Sequence, residues 1–292
     1  AIIYYEWLPG LLGDTCPGVY SFKGWSPHVN GQVAMEFAFS AFRYGHSSIP
    51  NELTFREAND TLLRTVLMKD SFFNPFNITD PIGSFSNSLG AVLKGAATHP
   101  AQKIDTHLVD SARNMLFSML GTQPGMPLMG TDLEAVNIQR GRDVGLGSYN
   151  DVREAYGLPR KNSFAEVSSD PEIVAALDKL YGHPDNADVF VAALAESLYV
   201  SSQLGELNSR IICDQFLRLR DSDPWWFELP SEFDVLEREQ LKATRLGALI
   251  ARNVPGFQFP RYAMFLPDRD CVVGEWSPAG QCSATCGGGV AT

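Results

Sequence analysis

The sequence predicts a mainly α-helical fold, and three observations carry that expectation. Apolar residues recur at helical spacing in several windows, helix-start signals are frequent, and the period-two alternation of strands is scarce. No internal repeat is visible.

Residues 1 to about 30 are rich in glycine, proline and aromatics and read as irregular structure with a short amphipathic opening. From Asn30 the pattern changes: Val33, Phe37, Ala41 and Phe42 keep helical spacing, with a stop forced before Pro50. Residues 71–100 hold many Asn, Pro, Gly and Ser, which predicts mostly loop with a short helix near Leu89–Gly95. A second helix is expected from about Asp105 to Leu120, with Leu108, Ala112, Met115, Leu116 and Met119 on one face. A third starts at the N-cap pair Thr131-Asp132 and runs through Asn137 to about Arg140. Ser169-Asp170-Pro171-Glu172 starts another, which Gly182 closes. Residues 187–200, 203–219 and 231–249 are three more expected helices. Trp225-Trp226-Phe227 reads as core or an interface anchor, and the acidic run Glu232–Glu239 as a solvated helix face.

Composition narrows the function. The 292 residues are 45% hydrophobic and 20% charged, an ordinary globular balance. The net charge of −11 is the wrong sign for a nucleic-acid binder, which needs cations against phosphate. The longest apolar stretch, Val189 to Val200, is short and contains Glu196, so no membrane span is expected. The chain opens at Ala1 with no initiator methionine and stops just after Cys286-Gly287-Gly288-Gly289, so both ends read as cuts through something longer. The five cysteines are unevenly placed: Cys16 and Cys213 stand apart, while Cys271, Cys282 and Cys286 crowd the tail. An odd count suggests a free thiol or a partner outside the chain, and the tail spacing suits a disulfide module better than zinc. That points to an oxidising compartment, with which the sequons at Asn59 and Asn77 agree. The boundary before this module falls near Leu266-Pro267-Asp268.

Two segments stand out chemically. In Ala41-Phe42-Arg43-Tyr44-Gly45-His46, Arg43 and His46 are three apart and share a helical face, and Gly45 leaves room for something flat or bulky. By spacing alone, the segment favours a partly buried structural histidine beside a solvated arginine. In Asn137-Ile138-Gln139-Arg140-Gly141-Arg142-Asp143, Asn137 and Arg140 are again three apart. An asparagine amide can orient an imidazole, and an arginine one turn on suits a carboxylate. A helix with ordinary surface charges fits that spacing too. Gly145-Leu146-Gly147 is no dinucleotide fingerprint, because no strand precedes it and a third glycine is missing.

Together the two segments resemble the proximal-histidine motif and the second diagnostic motif of the animal-type haem peroxidases. The resemblance extends through Tyr5-Glu6-Trp7-Leu8-Pro9, Tyr156-Gly157-Leu158-Pro159, Asp188-Val189-Phe190, Gln215-Phe216-Leu217-Arg218-Leu219-Arg220-Asp221 and Trp225-Trp226, covering residues 1–267. It implies a multi-helical peroxidase fold, of which this chain is the proximal part. It implies haem b as cofactor, with His46 Nε2 as the axial ligand of the haem iron. Asn137 would accept a hydrogen bond from His46 Nδ1–H, and Arg43 and Arg140 would pair with the haem propionates. Arg142 and Asp143 would hold the following loop.

The family's distal histidine and arginine, its calcium loop and the carboxylates that can attach haem covalently lie upstream of the proximal helix, so the resemblance assigns none of them here. Val144 and Gly147 stand where the family usually has a histidine and a proline. A family cysteine near Ile211 is displaced to Cys213, and Ala251 replaces its partner, which leaves Cys213 free or differently paired. The implied activity is the hydrogen peroxide-driven oxidation of halides, phenols or tyrosyl groups.

Residues 268–292, with Trp276 among the tail cysteines, resemble the start of a thrombospondin type 1 repeat. That implies a small β module, secretion, and an extracellular matrix or cell-surface partner. An impaired peroxidase serving as an adhesion scaffold is the alternative, and a fatty-acid dioxygenase relative comes last. The dioxygenase class carries a catalytic tyrosine near its proximal histidine; Tyr44 is close in sequence, but its position on a helix points it elsewhere.

Overall fold

A computed structural model describes residues 1–72, 74, 76–79, 85–115 and 130–264. The expected C-terminal β module lies outside them. The described chain is mainly helical, as the periodicity predicted.

The N-terminal segment is more regular than its composition suggested. A π-helical turn, Ile3–Trp7, leads into α1 (Leu8–Leu12), and two 3-10 turns follow, Gly13–Thr15 and Pro17–Tyr20. Leu8 and Leu12 are completely buried, because this segment is threaded through the main core instead of lying on it. The helix expected across residues 30–50 is broken in two. α2 (Met35–Phe39) ends where Ser40 leaves helical geometry, and a 3-10 helix, Ala41–His46, takes over.

β1 (Glu52–Arg56) and β2 (Leu62–Leu67) form an antiparallel hairpin with Thr54 opposite Thr65 and an irregularity at Phe55/Arg56. The short helices α3 (Met68–Ser71) and α4 (Phe76–Thr79) lead to α5 (Phe85–Thr98), which is much longer than expected. It lies on the hairpin so closely that a Cβ at Gly95 would sit 1.7 Å from the Thr54 carbonyl oxygen. Phe55, Val66 and Ala91 form the small core between them. Tertiary burial thus overrides a loop-like composition.

The helix expected from Asp105 is cut down to α6 (Asp110–Arg113) among the described residues. Asp105 instead turns its carboxylate onto the His107 N–H at 2.8 Å, a local turn that competes with helix formation. Leu116 and Met119 lie outside the described residues.

The later helices follow their start signals. In α7 (Leu133–Asp143) the Asp132 carboxylate caps the Glu134 and Ala135 N–H groups. α8 (Tyr149–Ala155) has a capping box between Ser148 and Asp151. α9 (Pro171–Tyr181) is capped by Asp170 and stopped by Gly182, whose φ of 72° favours glycine. α10 (Val189–Ala195) and α11 (Glu206–Asp221) supply much of the core. The helix expected over 231–249 divides into α12 (Val235–Ala243), which buries no residue, and α13 (Leu246–Asn253). Buried Glu6 accepts the Leu246 N–H and so ties the start of the described chain to α13.

Cys213 is not free. It bridges to Cys16, joining α11 to the N-terminal turns across a sequence separation of 197. Trp226 is core, whereas Trp225 is 73% exposed.

Candidate functional site

The two motif segments are 91 residues apart and meet side chain to side chain. The 3-10 winding of Ala41–His46 sets this up: at about three residues per turn, Arg43 and His46 eclipse one another. Opposite them α7 presents Asn137, fully buried.

The Asn137 amide links the cluster. Its Oδ1 accepts a 2.6 Å hydrogen bond from Arg43, its Nδ2 lies 2.7 Å from His46 Nδ1, and the same Nδ2 donates to Glu134 at 3.2 Å. In this amide orientation the contact runs opposite to the one the resemblance implies, and its direction follows the imidazole tautomer. Arg43 is a donor with no acceptor and claims the amide oxygen, so the amide nitrogen faces the imidazole. His46 Nδ1 is then an acceptor, and the neutral ring carries its proton on Nε2.

Burial, reinforced by the Arg43 charge, lowers the His46 pKa, so the imidazole is held neutral, the form that ligates metal. Beside it, Gly45 borders open space: a Cβ there would meet nothing within 4 Å. Tyr44 is buried and receives a hydrogen bond from Trp7, and its burial raises the phenol to about 12. It is engaged with Trp7, not with the imidazole.

Arg43 is further held by the Ala38 carbonyl at 3.1 Å and by the Phe39 ring, but no carboxylate comes within ion-pair distance of it among the described residues. Burial and then the Arg140 charge lower its pKa. Arg140 is exposed and makes no hydrogen bond or ion pair among the described residues. Two guanidinium groups beside a neutral imidazole, with Glu134 the near carboxylate that acts on Arg43 but none within ion-pair distance among the described residues, form a candidate place for an anionic ligand.

Glu134 escaped the sequence reading, although it sits one turn before Asn137 on the same face. Burial raises its carboxyl above the usual range, against the opposing hydrogen bond from Asn137. Arg142 does hold the following loop: it grips Asp188 through two hydrogen bonds of 2.9 and 2.6 Å, joining the end of α7 to the start of α10. Asp143 accepts from Gln139 instead. Between these helices lies a cavity of about 210 Å3 lined by Asn137, Gly141, Arg142, Leu146 and Phe190, among others.

The donor set suits an iron porphyrin. Among the described residues no three His, Cys, Asp or Glu side chains gather into a metal cage, so His46 stands as a single imidazole beside cations that suit carboxylates. A helical protein offering one neutral imidazole flanked by guanidinium groups belongs, as a class, with the haem proteins. The sequence profile of the animal haem peroxidases matches residues 1–265, and the chain belongs to that family.

Peroxinectin A of Dictyostelium discoideum is 31% identical over 264 residues, covering 90% of this chain and 46% of its own length. A human peroxidasin homolog is 34% identical over 260 residues, covering 86% of this chain and 17% of its own. The chain therefore spans half or less of these relatives. The solved structure of peroxidase A from Dictyostelium discoideum superposes with a TM-score of 0.78 at 31% identity, over 90% of this chain and 48% of that one. An Oryza sativa fatty acid alpha-dioxygenase shares the fold at a TM-score of 0.64 and 17% identity, covering 87% of this chain and 48% of its own.

Proposed function

We propose that this chain is the proximal part of a haem-dependent peroxidase, with His46 as the axial ligand of the haem iron and Arg43 and Arg140 as partners of the haem propionates. The observation that carries the reading is the Arg43–Asn137–His46 cluster, in which a neutral imidazole adjoins a guanidinium that has no carboxylate within ion-pair distance among the described residues. When bound, haem b would supply two-electron reduction of hydrogen peroxide, balanced by two-electron oxidation of a halide or by one-electron oxidation of two phenols or tyrosyl groups.

The residues of the chain hold and orient. Ligation needs a lone pair on His46 Nε2, so the ring proton must move to Nδ1. Asn137 must then present its oxygen there, as the sequence reading expects. That turn of the amide opposes Arg43 as long as Arg43 depends on Oδ1. Arg43 would hold a cofactor carboxylate, and because it also donates to Asn137 Oδ1 the amide orientation and the imidazole tautomer would depend on what Arg43 pairs with. Asn137 then draws the Nδ1 proton toward its oxygen and makes the ligand nitrogen more electron-rich. Glu134 opposes the turned amide while ionised, and its raised pKa reduces that opposition.

The protein acts outside the cytosol. The Cys16–Cys213 bridge and an exposed sequon asparagine at the hairpin tip, Asn59, support this, and among the described residues no helix is long and apolar enough to cross a membrane. Residues 268–292, as the start of a thrombospondin type 1 repeat, would bind a matrix or cell-surface partner. The distal histidine and arginine, and any calcium, come from outside this chain.

The test is His46→Ala in the full-length protein. The Soret band of bound haem disappears while the far-ultraviolet circular dichroism is kept; an unchanged Soret spectrum overturns the ligand assignment.

A further inference from the structure

A continuous series of aromatic rings leaves the His46 turn and ends at the surface. Phe42, between Ala41 and Arg43, meets Trp7 at 5.9 Å between ring centroids. Trp7 meets Phe216 at 5.5 Å, and Phe216 meets Tyr4 at 5.8 Å. Tyr4 lies 4.6 Å from Trp226, which touches Phe227 at 4.8 Å. Phe227 meets Tyr5 at 6.2 Å, and Tyr5 meets Tyr20 at 6.3 Å. Tyr20 is 62% exposed. Ring packing alone would make this an aromatic core.

The proton contacts distinguish its members. A tyrosine or tryptophan that loses an electron becomes strongly acidic and holds a stable radical only if its proton has somewhere to go. The Tyr5 phenol donates to Glu228 Oε1 at 2.8 Å, and Trp226 Nε1–H donates to the same oxygen at 3.1 Å. Both are within proton-transfer reach. The Lys242 ammonium, 2.9 Å from the other Glu228 oxygen and 5.9 Å from the Tyr5 ring centre, disfavours a positive charge left on that ring. Against the effect of burial, the same ion pair holds Glu228 below the usual carboxylate range, so the proton reaches it only from the strongly acidic oxidised ring. Tyr4, by contrast, donates to the Phe216 carbonyl, which cannot take a proton, so Tyr4 conducts without holding the radical.

We propose that Trp7, Tyr4, Trp226 and Tyr5 form a one-electron relay with Glu228 as its proton acceptor and Tyr20 as its surface outlet, through which the protein oxidises phenols too bulky to reach His46, tyrosyl groups of other polypeptides above all. The outlet activity rests on the peroxidase reading, because the oxidant is the one-electron oxidant that hydrogen peroxide generates at the bound cofactor. That oxidant takes one electron from Trp7, and the vacancy moves through Tyr4 and Trp226 to Tyr5, whose proton passes to Glu228. Tyr20 then gives one electron to Tyr5, which recovers its proton from Glu228, while the Tyr20 proton goes to water. The Tyr20 radical removes a hydrogen atom from the external phenol: the donor O–H breaks and the Tyr20 O–H re-forms. One donor is oxidised for each electron delivered.

Pulse radiolysis tests the relay without the cofactor, since azidyl radicals oxidise tryptophan directly. In the full-length protein, tryptophanyl absorbance converts to tyrosyl absorbance in a first-order process independent of protein concentration. Its rate falls at least tenfold in Trp226→Phe and in Tyr5→Phe, whereas Tyr5→Trp, which keeps an oxidisable ring at that position, retains passage to the Tyr20 radical. Glu228→Gln slows it and abolishes its solvent deuterium effect. Equal rates in all these variants, each checked for an unchanged thermal melt, overturn the relay. In a second arm the haem-loaded protein receives stoichiometric peroxide and a radical trap. Mass spectrometry finds the adduct on Tyr20, diminished at least tenfold in Tyr5→Phe. An undiminished adduct overturns the relay. Conduction in radiolysis with no peroxide-driven adduct overturns the peroxidase reading and the outlet activity, while the relay stands.

Discussion

Two arginine environments in this chain differ in a way that separates structure from function. Arg153 on α8 is completely buried and fully met: its guanidinium reaches Glu196 at 2.8 Å, Glu206 at 2.6 Å and the Pro159 carbonyl at 2.8 Å. Glu196 in turn accepts from Tyr149 and from the Leu207 N–H at the start of α11. All three guanidinium nitrogens donate inside the protein, and the network fastens α8, α10 and α11 together. Arg43 and Arg140 have no carboxylate within ion-pair distance among the described residues, and burial followed by the Arg140 charge lowers the Arg43 pKa. A satisfied buried charge is a structural element; the Arg43–Arg140 pair beside a neutral imidazole is the candidate ligand site.

That contrast can be broken by substitution. Arg153→Ala should have the largest effect on stability, about 3–5 kcal/mol, because it leaves Glu196 buried without its counter-charge. Thermal unfolding measures it, and a loss below about 1 kcal/mol would mean that the network is ornamental.

Cys213→Ser tests whether the body around the site depends on the bridge to Cys16. A loss of about 2–4 kcal/mol is expected from releasing so long a loop, read as the fall in denaturation midpoint. Asn137→Ala strips both Arg43 and His46 of a partner. It should destabilise by about 1–3 kcal/mol and weaken haem binding by about 10- to 100-fold, measured by titration of the Soret band. Arg140→Ala is the sharpest contrast to Arg153→Ala. Stability should change by less than about 0.5 kcal/mol, since the side chain is exposed and unpaired, yet haem affinity should fall. A change in stability without a change in affinity would remove Arg140 from the site.

The pH dependence has a determined sign. The His46 pKa is lower folded than unfolded, so at acid pH the unfolded chain binds the extra proton more readily. Stability is unaffected above the unfolded value near 6.5 and falls as pH drops below it toward the folded value. In the cofactor-free protein this acid loss should be smaller in His46→Gln than in the unsubstituted chain, as differential melts between pH 8 and 5 would show.

The regions that were legible in advance share a physical basis. The starts of α7 and α9 could be read because Asp132 and Asp170 cap helices through their own side chains, a local interaction that needs no partner from elsewhere. The resemblance of the two motif segments likewise led to His46, Arg43 and Asn137, which the fold brings together. What was missed depended on distant partners. Of α5 only the stretch near Leu89–Gly95 was expected, because the hairpin on which Ala91 and Gly95 pack and which supports the longer helix is supplied by other parts of the chain. The break at Ser40 and the 3-10 winding after it were invisible to a search for helical spacing. Glu134 could have been found as the residue one turn before Asn137, but nothing in its surroundings marked it.

By itself, then, the sequence determined the helical class, the capped helix starts, the acidic balance and the residue types at the candidate site, because these follow from local geometry and composition. Only the tertiary structure decided that Cys213 pairs with Cys16, that Asn137 meets His46, and that Arg153 is paired with carboxylates while Arg43 and Arg140 are not among the described residues. Each of these depends on which groups arrive within hydrogen-bonding or bonding distance across many residues of chain. An arginine becomes a strut where the fold supplies a carboxylate, as it does for Arg153, and a candidate ligand-binding group where it does not.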